Sequence, residues 1–204
     1  MIKPLRRIRL SLGEIRHQEL LDAGFAVIKR EGLAGATVGK IAEEVGASKG
    51  IIHHYFTSKR GLVLATLRYA HALRSKEIVE RLRAARSPHE RLAAIIDVNF
   101  GPTYLNAEYC TLWVSCASEA LRDKEFERLQ RVIASRENSN LLHCLRQILP
   151  EEEAMNLLFG LRAMLQASRL WACYNRSFGS THAQRLAYAF IQPKIPRFGA
   201  QVGD

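Results

Sequence analysis

Along almost the whole chain the apolar positions recur every three or four residues, and nowhere do they alternate, so the pattern predicts helices and no sheet. Residues 14 to 31 place Leu20, Ala23, Gly24, Val27 and Ile28 on one side of a helix that Gly32 stops. Thr37 then caps a short second helix whose buried stripe is Ile41, Ala42 and Val45, and Gly46 closes it in a tight turn. Ser48 caps a third helix, in which Ile52, Tyr55 and Phe56 fall at helical spacing and face inward. Lys49, Gly50, His53 and His54 are left on the outer side, with Ile51 at the flank. Thr57 and Ser58 open a long fourth helix, whose stripe of Leu62, Ala65, Thr66, Tyr69 and Leu73 continues to about residue 85.

Past a break at Ser87 and Pro88 the helical period persists, and Ser87 with Glu90 has the spacing of a capping box. Helices are expected over residues 89 to 100, 106 to 121, 124 to 149, 151 to 174 and 181 to 191. Gly101 with Pro102, Asp123, Pro150 and the loop from 175 to 180 punctuate them. Pro193, Pro196 and Gly199 predict a disordered tail over 193 to 204. The fold class is all-α, with a helix-turn-helix domain over residues 1 to 60 and a helical body over 61 to 192.

Two short helices around a glycine turn occur in many helical proteins, but this pair presents donors on a narrow outward face. A helix entering the major groove carries such a face, and Gly50 allows the backbone to approach closely. Lys59 and Arg60 stand in the first turn of the fourth helix, where a cation opposes the helix dipole. A contact from Lys59 to a DNA phosphate accounts for that placement.

Charge points the same way. Of the net +10, residues 1 to 60 hold 11 Lys and Arg against 6 Asp and Glu, and the remaining 144 residues hold 19 against 14. Each segment is therefore net +5, which makes the first more than twice as dense in positive charge and suited to a polyanion. Cys110, Cys116, Cys144 and Cys173 form no CxxC pair and have no zinc-ligand spacing, and they read as reduced core thiols of a cytoplasmic protein. No apolar run is long enough for a signal peptide core or a membrane span. A glycine-rich phosphate loop, a GxSxG elbow and an HExxH pair are all missing, so neither enzyme, cofactor nor metal is expected.

The stretch ATVGKIAEEVGASKGIIHHYFTSKRGL resembles the helix-turn-helix signature of TetR-type transcriptional repressors, through Thr37, Ile41, Ala42, Gly46, Ser48, Gly50, Tyr55, Phe56, Lys59 and Leu62. The resemblance implies an all-helical homodimer of about nine helices that reads a pseudo-palindromic operator in double-stranded DNA and holds an effector inside its body. It also implies phosphate contacts at Thr37, Ser48, Tyr55 and Lys59, and base contacts among Lys49, Gly50, Ile51, His53 and His54. A dimer face is expected on Ala154, Leu157, Leu158, Leu161, Met164, Leu165 and Ser168, with Ala183, Leu186, Ala187, Phe190 and Ile191 of the last helix; burial in the monomer's own core is the competing reading.

Within that family the chain is similar to repressors of choline-to-glycine-betaine genes, which implies choline or betaine aldehyde as effector. A quaternary ammonium binds aromatic faces beside a carboxylate. The rings available are Phe100, Tyr104, Tyr109, Trp113, Trp171 and Tyr174, and the carboxylates are Asp97 and Glu119. Two stretches, Cys116-Ala117 and Gln166-Ala167-Ser168-Arg169, depart from the choline-type pattern and leave open a different ligand. Oxidation of Cys110 and Cys116 is a further alternative.

Overall fold

The structure, a computed structural model, describes residues 11–175, 177–196 and 198, and among these it is helical throughout. The helices are α1 (Leu12–Gly35), α2 (Val38–Glu44), α3 (Lys49–Tyr55), α4 (Lys59–Ala84), α5 (Pro88–Phe100), α6 (Ala107–Ala120), α7 (Lys124–Leu145), α8 (Glu151–Tyr174) and α9 (Ser180–Ile191). They form two compact units that divide between Tyr69 and Ala70, inside α4. The division lies later than the loop before α4 suggested, because Leu62, Leu64 and Thr66 in the first turns of α4 are buried with the first unit.

In the first unit, α1 begins on a capping box: Ser11 Oγ accepts from Glu14 N–H, and the Glu14 carboxylate accepts from Ser11 N–H. Gly32, at φ 72°, breaks the regular helix there as its sequence position foretold, and one further turn follows before Ala36. Gly24 lets α1 approach α4 closely, since a Cβ at Gly24 would lie 2.6 Å from Thr66 Oγ1. Leu20, Val27, Ile28, Ile41, Ile52 and Leu62 fill the core, each at most 1 % exposed. Truncating any of these to alanine costs about 2–5 kcal/mol. Arg30 of α1 donates to Glu44 of α2 at 2.9 Å, and Lys40 pairs with Glu31.

In the second unit α6 packs on α7 and α8, α5 on α7 and α9, and α8 on α9. Ser87 caps α5 through Glu90 N–H at 3.1 Å, but the Glu90 carboxylate takes the N–H of Arg86 and not of Ser87, so the box is displaced by one residue. Arg146 and Glu151 make two hydrogen bonds, of 2.7 and 2.5 Å, across the Pro150 turn. The expected disordered tail is in part ordered: turns continue through Pro196, Ile195 and Phe198 are buried, and the Phe198 ring stacks on Tyr188 at 5.2 Å. Residues 197 and 199–204 of that tail lie outside the described residues.

The face of α8 assigned to dimerisation divides differently. Ala154, Leu157, Leu158, Leu161, Leu165 and Ser168 are buried within the protomer, as are Ala183, Ala187 and Ile191 of α9. Phe159, Leu170, Trp171, Tyr174, Leu186 and Phe190 are the large apolar side chains that these two helices expose. One helix has two apolar stripes, and periodicity cannot say which of them the protomer uses first.

Candidate nucleic-acid interface and effector cavity

The turn between α2 and α3 is set by backbone hydrogen bonds around Gly46. Gly46 N–H donates to Glu43 O at 3.1 Å and Ala47 N–H to Ala42 O at 2.8 Å, with Gly46 at φ 64°. This is a Schellman closure, which needs a left-handed residue at the position Gly46 holds. It releases the chain directly into Ser48, whose extended backbone starts α3. Thr37 Oγ1 accepts from Lys40 N–H at 3.2 Å, as a cap should, whereas the Ser48 hydroxyl makes no cap hydrogen bond.

Ile52 and Phe56 anchor α3, at 1 % and 7 % exposed, and the His17 ring of α1 stacks on Phe56 at 5.2 Å. Tyr55, expected to face inward with them, is only half-buried, between His17 and an edge-on His54. Thr37, Ser48, Lys49, Gly50, Ile51, His53, His54 and Lys59 are exposed. The Lys49 arm lies along Gly39, where a Cβ would stand 3.2 Å from Lys49 Cε, so Gly39 leaves room for it. Lys59 Nζ donates to Ala34 O at 3.2 Å, and Ser58 Oγ caps α4 by accepting from Gly61 N–H at 3.0 Å. The nine residues expected at DNA thus belong to one helix-turn-helix and the start of the helix after it.

The second unit holds a cavity of about 350 Å³ walled by α4, α5, α7 and α8. Its apolar wall includes Ile78, Ile95, Ile96, Phe100, Leu161 and Leu165. Its polar wall is built around Glu137, whose two carboxylate oxygens accept from Arg74 and Arg162, one guanidinium to each oxygen. Arg74 also donates to Asn99 Oδ1 at 3.3 Å and to His71 Nδ1 at 3.0 Å. An arginine has no lone pair to offer, so Nδ1 is the acceptor and the imidazole is neutral, with its second nitrogen 3.3 Å from Ser75 Oγ. Burial, then the guanidinium charges of Arg74, Arg136 and Arg169, push His71 down to about 3.

Of the eight residues expected at a ligand, Phe100 alone lines this cavity. The Asp97 carboxylate is taken up by α9, accepting from Tyr188 Oη at 2.9 Å and Gln184 Nε2 at 3.1 Å. Tyr104 and Tyr109 pack edge to face with each other at 5.2 Å. Trp113 holds the guanidinium of Arg169 at 4.2 Å and that of Arg74 at 5.5 Å from its ring centroid. Trp171 packs edge-on against Phe178, while Tyr174 and Glu119 are exposed. Three of them, Tyr104, Tyr109 and Trp113, gather instead near the protein's own guanidiniums of Arg74 and Arg169.

The arginines and Glu137 were missed as cavity residues. A signal was present: Arg162 and Arg169 stand seven apart, on the side of α8 that otherwise reads as apolar. The thiols offer little chemistry. Cys110 and Cys116 are buried, and burial pushes them up to about 11 and about 12, so the thiolate that oxidation requires is scarce at neutral pH.

A helix-turn-helix with an exposed cationic, donor-bearing face in one unit is the architecture of a DNA-binding regulator, and the other unit holds a charged cavity. Residues 20–66 match the family of bacterial regulatory proteins described as tetR, and residues 88–192 match the C-terminal domain of the BetI-type transcriptional repressors. The chain belongs to the tetR family, in its BetI-type branch. It is 33 % identical over 193 residues to the HTH-type transcriptional regulator BetI of Klebsiella pneumoniae (strain 342), covering 92 % of this chain and 98 % of that one. To the regulator of the same name from Stenotrophomonas maltophilia (strain R551-3) it is 36 % identical, covering 87 % and 91 %. Among solved structures, a transcriptional regulator from Saccharomonospora viridis in complex with choline shares the fold, at a TM-score of 0.80 and 20 % identity over 87 % of this chain and 96 % of that one.

Proposed function

We propose that the protein is a repressor that binds a pseudo-palindromic operator as a homodimer and releases it when a small molecule enters the cavity of the second unit. The observation that carries the reading is the division of α3 into buried Ile52 and Phe56 and exposed Lys49, Gly50, Ile51, His53 and His54. The exposed set meets base edges in the major groove, while Thr37, Ser48, Tyr55 and Lys59 hold phosphates. Phe159, Leu170, Trp171, Tyr174, Leu186 and Phe190 form the apolar part of the dimer interface.

Release works through α4. This one helix gives Lys59 to the first unit and His71, Arg74, Ser75 and Ile78 to the cavity wall. A ligand that favours one position of the cavity end therefore biases the other end by continuity of the backbone. Control of choline and glycine-betaine genes is the finer reading, and its support is the BetI name of the relatives together with the choline bound by the Saccharomonospora regulator.

The test is a gel-shift titration on the DNA upstream of the protein's own gene, with and without choline and betaine aldehyde. Retardation that survives excess non-specific competitor is the expected result, and whether choline or betaine aldehyde abolishes it decides the finer reading. Retardation that competitor abolishes in every case would overturn the operator reading.

A further inference from the structure

Resting on the proposal that this cavity is the effector site, we infer that it takes an organic anion, a carboxylate with a short apolar tail, and not a quaternary ammonium. Arg74, Arg136 and Arg162 line it, and Glu137 is the one acid among its described lining residues. Both oxygens of Glu137 are already taken by Arg74 and Arg162, so that trio keeps one positive charge. Arg136 makes no ion pair among the described residues and adds a second. His71 is neutral and brings no negative charge.

Two further observations point at an anion. Arg74 is fully buried yet its Nε finds no acceptor, although the side chain lies in the cavity wall. Behind the lining, Arg169 is also fully buried, has no carboxylate partner, and adds its charge to that felt by His71 in the wall. A buried guanidinium in that condition is costly unless negative charge arrives. A cation entering the cavity would meet the reverse: net positive walls and one aromatic carbocycle, Phe100, where a quaternary ammonium needs several faces. The volume, about 350 Å³, is at the small end of ligand sites and suits a charged head on a short chain lying against Ile95, Ile96, Leu161 and Leu165.

Binding to the full-length protein is measured by titration calorimetry with straight-chain carboxylates from acetate to octanoate, with choline and with glycine betaine. At least one carboxylate should bind more tightly than choline by ten-fold or more. Arg136→Gln, an exposed position whose replacement leaves the fold intact, should weaken that carboxylate several-fold, and Arg162→Met should weaken it further. An Ile96→Trp variant, which fills the cavity, separates the two claims. If choline binds more tightly than every carboxylate, and Ile96→Trp abolishes its binding, the cavity is the effector site but the anion inference falls. If the carboxylates bind equally well to Ile96→Trp, the effector-site reading falls and the inference with it. Failure of every carboxylate to bind also overturns the inference.

Discussion

The guanidinium of Arg169 lies 4.2 Å from the centroid of the Trp113 ring, while Trp113 Nε1 and Arg169 Nη1 both donate to Gln166 Oε1, at 3.1 and 3.3 Å. The face of the indole is thereby covered by a cation of the protein itself. A ring that would be the first choice for holding a ligand's ammonium is committed to holding an arginine.

This arrangement predicts a gain from removing the charge. Arg169 is fully buried without a carboxylate, and burial first, then the charge of Arg74, pushes it well below the usual arginine range. Replacing even a buried ion pair by apolar side chains of similar volume is commonly neutral or stabilising, by about 1 to 4 kcal/mol, and Arg169 lacks the compensating partner of such a pair. Arg169→Met is expected to raise the urea midpoint of the unliganded protein. A fall in stability of more than about 1 kcal/mol would show that the stacking on Trp113 outweighs the cost of burial.

Two glycine-to-alanine changes in helices should differ in outcome. Each gains about 1 kcal/mol of helix propensity. At Gly24 the new Cβ would lie 2.6 Å from Thr66 Oγ1, in a core where Thr66 is fully buried and cannot retreat. Gly24→Ala should destabilise by about 1 to 3 kcal/mol through overpacking, and Thr66→Ala should relieve most of that. Denaturation of the single and double variants checks both statements.

At Gly160 the Cβ would meet the far end of the Phe190 ring at 2.3 Å, but Phe190 is 40 % exposed and can swing outward. Gly160→Ala should leave protomer stability within about 1 kcal/mol, since the helix gain offsets the displaced ring. Its effect should fall on self-association, because the displaced ring belongs to the proposed dimer face. Sedimentation showing an unchanged monomer-dimer equilibrium would remove Phe190 from that face.

The proposed DNA interface gives Lys59 and Lys49 separate tasks. Lys59→Ala should weaken binding to all sequences alike and lower the salt slope by about one. Lys49→Ala should cost about 1 to 3 kcal/mol on the operator and relax discrimination at one base pair. Binding isotherms at several salt concentrations, on operator and scrambled DNA, separate the two. Equal, sequence-independent losses from both would contradict the assignment.

His71 makes stability depend on pH. Its folded value is pushed down to about 3 from an ordinary 6.5, so below 6.5 the unfolded chain takes up a proton that the folded chain refuses. The stability it contributes is complete above 6.5 and is lost as the pH falls toward 3. Between about pH 7 and about pH 5 the loss should be roughly 2 kcal/mol, and His71→Gln should abolish that part of the slope. Urea denaturation at both values, on both proteins, measures it.

The helix-turn-helix was legible because its determinants are local. Thr37 caps α2, Gly46 turns left-handed, and Ile52 and Phe56 recur at helical spacing, so the outward side of α3 could be read by subtraction. Tyr55 marks the limit of that method: spacing put it inside, but His17 from α1 holds it half-exposed. In the second unit the helices were placed to within a turn, while the partners of their surfaces were not legible. Trp171 and Tyr174 read as pocket rings and are exposed, and of the two readings open for Leu157, Leu158 and Leu161, dimer face or protomer core, the structure has the core.

By itself the sequence determined the succession of helices, their caps and stops, the positive first segment and the face of α3, since each depends on residues within a few positions of one another. The tertiary structure decided which apolar stripe of α8 is core, which aromatic rings were already in use, and that Arg74, Glu137 and Arg162 meet. The physical reason is that these three come from α4, α7 and α8, so Glu137 gathers side chains 63 and 25 positions distant in the chain, and no local period encodes such a meeting.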